Sequence, residues 1–282
     1  MKTKSVKYIL IAVLLLALVA GVVIFFFMYG FYEVKNEDGT TTRIFVRKTS
    51  SLEVGDLVAY RYPLEFDTEL SSRDVCVSRI VGMSGDMILI HDGDLYRNNK
   101  KVSEDYDTYM RYRASVSSGD QDLKAILSKY DVRIGYVLND GKACEFVCTE
   151  SEFRKIFDNE KDFESCRKII DRDDWKDMDV FPSSAFFAWN KDNFGPMYLP
   201  KVGDTLKFSP QIAPMYKNII NFEGNDFQSD TYHVRINQHD AREYIATKNY
   251  CFVLNDDRTD KHDSRKYGPI PVDYIIGKVI CR

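Results

Sequence analysis

Residues 8–32, "YILIAVLLLALVAGVVIFFFMYGFY", carry no charge. Nothing else in the chain restricts the fold as much, because an uncharged run of this length has to leave water. As a helix it would rise about 37 Å at 1.5 Å per residue. The hydrocarbon core of a bilayer is roughly 30 Å thick, so the run is long enough to span it with some tilt. A cleaved leader would carry a shorter apolar stretch, roughly 7–15 residues, ending at small residues. Ala17 and Ala20 are small, but the apolar run continues to Met28. The expectation is an uncleaved transmembrane anchor over 8–32, behind a short tail over 1–7. Lys2, Lys4 and Lys7 precede the run, and Glu33, Glu37 and Asp38 follow it. The lysine bias places the N-terminus in the cytoplasm and everything from residue 33 outside.

The outer part is rich in Tyr and Phe, 18 of each in the whole chain, which favours strands over helical bundles. The net charge is −4, and three of the lysines stand ahead of the anchor, so the remainder is more acidic still. A nucleic-acid partner would call for the opposite bias. Six cysteines, Cys76, Cys144, Cys148, Cys166, Cys251 and Cys281, would sit in a compartment where disulfides form. Cys144-x-x-x-Cys148 has the look of half a zinc site, but no second pair of Cys or His follows at zinc-like spacing. No metal and no cofactor are expected. Cys76 and Cys251 lie in apolar runs and read as core residues.

Turn and alternation signals divide the outer part. "TRIFV" is a strand, and "VGDLVAYRYP" is a Gly-Asp turn feeding a strand that Pro63 ends. "VCVSRIVG" is another, followed by hairpin turns at Asp92-Gly93 and Asn98-Asn99. An Asp38-Gly39 turn is expected in the polar lead. Residues 104–180 change texture. Leu123, Ile126 and Leu127 have helical spacing, Thr149 with Glu152 forms a capping box, and Phe163, Cys166 and Ile170 recur at three and four. The spacing predicts two or three short helices in an insert. Strands resume after residue 180, with a hairpin around Asn237–Asp240, an apolar strand at 250–254 and a last one at 274–280. The expected domains are thus the tail, the anchor, and a mainly antiparallel β domain over 33–282 with a partly helical insert at 104–180.

The run Asn255-Asp256-Asp257-Arg258-Thr259-Asp260-Lys261-His262-Asp263-Ser264-Arg265-Lys266-Tyr267-Gly268 resembles the late box of the type I signal peptidases, Gly-Asp-Asn-Arg-Asp-Asn-Ser-x-Asp-Ser-Arg-x-Trp-Gly. Gly55 to Pro63 resembles that family's Gly-Asp-Ile-Val-Val-Phe-x-Tyr-Pro box. Ser78 to Asp86 resembles its Lys-Arg-Val-Ile-Gly-x-Pro-Gly-Asp box. "WNKDNFGPMYLPKVGDTL" and "VDYIIGKVI" look like later strands of a longer branch. The resemblance covers about 54–102 and 180–282, with the anchor. It implies a membrane-anchored serine endopeptidase of protein secretion, with a mostly β outer domain and a serine–lysine dyad. It also implies that Asp256, Arg258, Asp263 and Arg265, with Arg79 and Ser264, hold a charged loop rigid beside the site.

The dyad itself is not matched. The family's lysine base precedes the Arg-x-x-Gly box, where this chain has Ser78. A serine is no general base near neutral pH. The family's Ser-Met-x-Pro-Thr nucleophile turn has no counterpart in 33–54, where Ser50 and Ser51 are the only serines. Lys261 stands where the family has a serine that contacts the lysine, so the two residue types have exchanged places. That exchange raises a swapped dyad, with the Lys261 amine serving Ser51 or Ser78. The expected function is a signal peptidase homologue without its standard dyad, in a bacterial plasma membrane. It would bind exported precursors or partner an active signal peptidase. The alternative is an active endopeptidase with a non-standard dyad.

Overall fold

The computed structural model describes residues 2–35, 39–116, 123–139, 141–160 and 163–281, with side chains from Val13 onward. The chain forms two compact units, Met1–Val77 with Asp273–Arg282, and Ser78–Val272.

The first unit begins with a 27-residue helix, Lys2–Met28, and the hairpin Tyr29–Lys35 with Thr41–Lys48. The expected anchor boundaries therefore shift: the helix already includes the tail, and it stops four residues short of residue 32. The cause is alternation. Tyr32 and Val34 pack inward with Ile44 and Val46, so residues 29–35 are drawn into a sheet. The Lys48 amine donates to the Phe26 carbonyl (3.3 Å), closing the open end of the helix. Residues 8–12 of the expected anchor lie outside the described side chains. Among the described residues no helix is long and apolar enough to cross a membrane. Asp38 of the expected Asp38-Gly39 turn also lies outside the described residues.

Thr41–Lys48 pairs next with the last strand, Ile275–Cys281, which pairs with Leu57–Arg61, all antiparallel. Distant ends of the sequence thus meet in one sheet. Gly277 makes the crossing possible, since a Cβ there would stand 2.1 Å from the Arg47 carbonyl oxygen. Ile44, Val46, Ala59 and Val75 form the buried centre.

In the second unit, Tyr250–Leu254 is buried along its whole length. It pairs with the end of the strand Val75–Gly82 (Val253 opposite Ile80) and with Ile270–Pro271. A separate sheet runs Phe194–Tyr198, Met87–His91, Asp94–Arg97, Lys100–Lys101. Its tight turns fall at Asp92-Gly93 and Asn98-Asn99, all four at positive φ, as expected. The hairpin at Asn237 is likewise present, between Val234–Ile236 and His239–Asp240.

The insert departs from expectation. Among the described residues it is a four-stranded antiparallel sheet, ordered Phe163–Lys168, Tyr109–Val116, Ala143–Thr149, Arg133–Leu138, and it carries two of the two or three expected short helices, Leu123–Leu127 and Glu150–Asn159. The capping box works at its N-cap half, with Thr149 Oγ1 accepting from the Glu152 N–H (3.2 Å). The third expected helix is a strand. Phe163 and Cys166 pair with Tyr109–Val116, whose period-two burial of Met110, Tyr112, Ala114 and Val116 dictates a sheet. Cys144 and Cys148 are buried in the insert core. Burial pushes the Cys148 thiol up to about 12, so it packs as a neutral hydrophobe.

Glu223 pins the end of the helix Lys217–Phe222 to the turn before Tyr250. Its carboxylate accepts from Tyr244 Oη (2.6 Å), Tyr250 Oη (2.9 Å), the N–H groups of Thr247 and Lys248, and Thr247 Oγ1. Burial pushes this carboxyl up. The donors, Thr247 first, outweigh that and hold it below its ordinary value. Its contribution is therefore present above the unfolded-state pKa, about 4.3, and lost as pH falls through the lower folded value. Glu223→Gln should cost roughly 1–3 kcal/mol at neutral pH. In urea denaturation the gap to wild type should narrow as pH drops below that range.

Candidate functional site

The charged run after Tyr250–Leu254 is ordered by a network lying wholly within the second unit. Asp263 caps the short helix Ser264–Tyr267, accepting from the Arg265 N–H (2.9 Å). The Arg265 side chain folds back onto the same carboxylate, Nε to Oδ1 at 3.0 Å and Nη2 to Oδ2 at 2.7 Å. Its remaining donors reach the carbonyls of Arg258 (2.8 Å) and Asp260. Both partners are buried, Arg265 at 1% exposure and Asp263 at 0%. A buried charge survives only if paired and fully hydrogen-bonded, and this pair is both. Ser264 Oγ accepts from the Val253 N–H (3.0 Å), tying the helix back to the strand.

Arg79, on the strand Val75–Gly82, grips Asp256 in a bidentate pair, Nε to Oδ1 at 2.8 Å and Nη2 to Oδ2 at 2.7 Å. Its guanidinium lies 4.0 Å over the Tyr106 ring. Arg258 pairs with Glu104 and donates to the Asn255 carbonyl (3.0 Å). The structure thus brings Arg79, Asp256, Arg258, Asp263, Ser264 and Arg265 into one framework.

Ser78 is buried at 1% exposure, and its hydroxyl donates to Asn255 Oδ1 at 2.6 Å. The Asn255 amide donates in turn to Asp260 Oδ2 at 2.7 Å. The Lys261 amine donates to Asp177 Oδ2 (2.7 Å) and Asp179 Oδ2 (3.4 Å). Burial pulls the Lys261 pKa down, but hydrogen bonds and charge from Asp177 and Asp179 more than offset it and leave it above the ordinary lysine value. That is the wrong direction for a base, which must be neutral at working pH. Ser51 belongs to the first unit, in an exposed turn where its N–H donates to Thr49 Oγ1 (3.1 Å).

Sequence reasoning missed the residues that brace the loop from outside it. Glu104 and Tyr106 precede the insert sheet, and Asp177 and Asp179 lie in the stretch that follows it. Asn190 organises the segment Trp189–Asn193. Its Oδ1 accepts from the N–H groups of Asp192 and Asn193, and its amide reaches the Arg172 and Trp175 carbonyls, both at 2.8 Å. Lys191 bridges Asp171 (3.0 Å) and Asp192. The signal was there in the dense polar string Asn-Lys-Asp-Asn between aromatic residues, a pattern suited to local side-chain to backbone bonding.

Arg265→Met should test the buried pair directly. It leaves Asp263 charged and without its partner, a loss of about 3–5 kcal/mol. Denaturant titration of the variant should show it.

A sequence model of the family described as signal peptidase, peptidase S26, matches residues 3–143 and 192–282. The match takes in the N-terminal helix, the Ser78 strand and the charged loop. It omits 144–191, the second half of the insert and the segment holding Asp177 and Asn190. Comparison with curated proteins finds no match. With the family model matched over most of the chain, this chain belongs to the signal peptidase family, peptidase S26.

Proposed function

We propose that this chain is a signal peptidase homologue that has given up peptide-bond cleavage and serves secretion as a membrane-anchored binding or accessory protein. The observation that carries the reading is Ser78. By its resemblance to the family box it stands where the lysine base would be, and its hydroxyl donates to Asn255 Oδ1 at 2.6 Å. Cleavage by this family's chemistry needs a serine whose proton passes to a neutral amine. Lys261, the amine whose place in the late box suggested an exchange, is held charged by two carboxylates. What is retained is the scaffold: the braced loop, the strands beside it, and the helix at the N-terminus.

On this reading the helix Lys2–Met28 anchors the chain in a bacterial plasma membrane, N-terminus in the cytoplasm. The uncharged sequence from residue 8 and the three lysines ahead of it support that orientation. The β domain then stands outside, where translocated chains emerge. An extended exported segment could be held by main-chain hydrogen bonds, the mode by which sheets take up peptides. The partner is such a precursor, or an active signal peptidase that the homologue assists.

The decisive assay incubates the purified full chain with a precursor bearing a small-x-small cleavage site. No cleaved product is expected from wild type, while crosslinking should capture the intact precursor. A product that disappears in Lys261→Ala, Ser78→Ala or Ser51→Ala would overturn the reading and establish an endopeptidase with a non-standard dyad.

A further inference from the structure

The outer face of the insert sheet carries a charge pattern that neither the braced loop nor the proposed function uses. The strand Tyr109–Val116 turns Met110, Tyr112, Ala114 and Val116 into the insert core, so Arg111, Arg113 and Ser115 stand on the opposite, solvated face. The register extends that face over the neighbouring strands. On one side Ser165 lies opposite Ser115 and Arg167 opposite Arg113. On the other side Glu145 lies opposite Arg113 and Val147 opposite Arg111, with Arg133 beyond Val147. Four arginines are thus gathered on one face of a chain whose net charge is −4, and at these paired positions the single acid is Glu145. Charge on an edge strand can serve to keep other chains away. Arg111 and Arg113, however, sit on an inner strand of the sheet.

Three of the four arginines are already held by carboxylates. Arg111 Nη2 donates to Asp171 Oδ1 (3.2 Å), Arg113 Nε to Glu145 Oε1 (3.2 Å), and Arg133 pairs with Asp257. Arg167 is exposed, makes no ion pair among the described residues, and faces Arg113 directly across the ladder. Directly opposed residues stand about 4.5–5.5 Å apart at Cβ, and like charges there repel. The row Arg167, Arg113, Glu145 therefore reads plus, plus, minus, and is one anion short. In the adjacent row the Ser115 and Ser165 hydroxyls meet at 2.7 Å. The serine that accepts in that bond keeps its own O–H for another acceptor.

We propose that this face docks an acidic, extended segment of a partner protein, with a Glu or Asp carboxylate of that segment seated between the Arg167 and Arg113 guanidinium groups. Charge complementarity selects the occupant. The other arginines of the face each hold a carboxylate, and the guanidinium fork matches that group. The spacing agrees. Side chains on one face of an extended chain recur roughly every 7 Å, the same step that separates the rows of the sheet. A segment laid along Tyr109–Val116 thus places one acidic group at the arginine row and the next polar group at the serine hydroxyls. The inference is independent of whether the chain cleaves peptides and of how it is anchored.

The test titrates the purified full chain in detergent with a fluorescent hexaglutamate peptide, read by anisotropy, beside a hexaglutamine peptide and polyphosphate. Hexaglutamate should bind and weaken as salt is raised, and hexaglutamine should not bind. Arg167→Gln should weaken hexaglutamate binding about tenfold, the loss of one charge-assisted contact. Lys207→Gln removes an exposed cation from the strand Thr205–Lys207, outside the insert sheet, and should leave binding unchanged. Denaturant titration separates binding from folding. Removing one of two opposed like charges should leave Arg167→Gln at least as stable as wild type. Wild type that ignores hexaglutamate, or Arg167→Gln that binds it equally well, refutes the site. An equal loss in Lys207→Gln reduces the attraction to overall charge and also refutes it. Binding of polyphosphate without hexaglutamate puts a phosphate polymer in place of a protein segment, and the proposal falls. An Arg167→Gln chain less stable than wild type gives Arg167 a structural role and overturns it as well.

Discussion

The Arg265–Asp263 pair is the constraint on which the second unit's site depends. Neither group touches water, and each would be costly to bury alone. Their bond is intraloop, two residues apart, so it shapes the loop before it contributes to any long-range packing. Asp263 also caps the short helix, and Arg265 gathers the Arg258 and Asp260 carbonyls. One ion pair thus settles the path of the chain from Asn255 to Tyr267. Arg79 with Asp256 and Arg258 with Glu104 then fasten that path to the strand beside it and to the approach to the insert. A buried pair of this kind is weak evidence for overall stability, since an apolar replacement can serve as well. Its value is geometric: the loop has one conformation.

That rigidity is the central fact about the charged loop. A protease site needs a fixed frame because its proton transfers tolerate little misplacement. Here the frame is intact while its centre holds a hydroxyl bonded to an amide. The Lys261 amine bonds to Asp177 and Asp179, in the segment that the family match does not cover. The lysine braces the charged loop against that segment.

How far the residues announced this varies with the physics involved. Strands bounded by Gly-Asp and Asp-Gly turns were legible, because a turn needing positive φ leaves few alternatives. The charged loop was legible as a unit, since its acids and bases alternate at spacings that pair locally. The insert was misread for a definite reason. Phe163, Cys166 and Ile170 fit a helical period, while Tyr109–Val116 carries a clean period of two. The sheet won because Tyr109–Val116 pairs on both sides, with Ala143–Thr149 and with Phe163–Lys168. Spacing within one segment cannot reveal a partner in another. The same limit hid Glu104, Asp177 and Asn190, whose roles come from contacts far off in sequence. The end of the N-terminal helix was hidden too, because residues 29–32 are as apolar as those before them and only their cross-strand neighbours make them a strand.

The hydrogen bond between Ser78 and Asn255 limits what else position 78 can hold. A lysine placed there would push four methylenes into space now filled by a hydroxymethyl group, a site of overpacking. Its amine would arrive beside Asn255 Oδ1 and within the field of Asp260, both of which favour the protonated form. An amine at position 78 would therefore be held charged unless Asn255 and Asp260 changed with it, so this corner of the loop accepts a lysine only as part of a coordinated set of replacements.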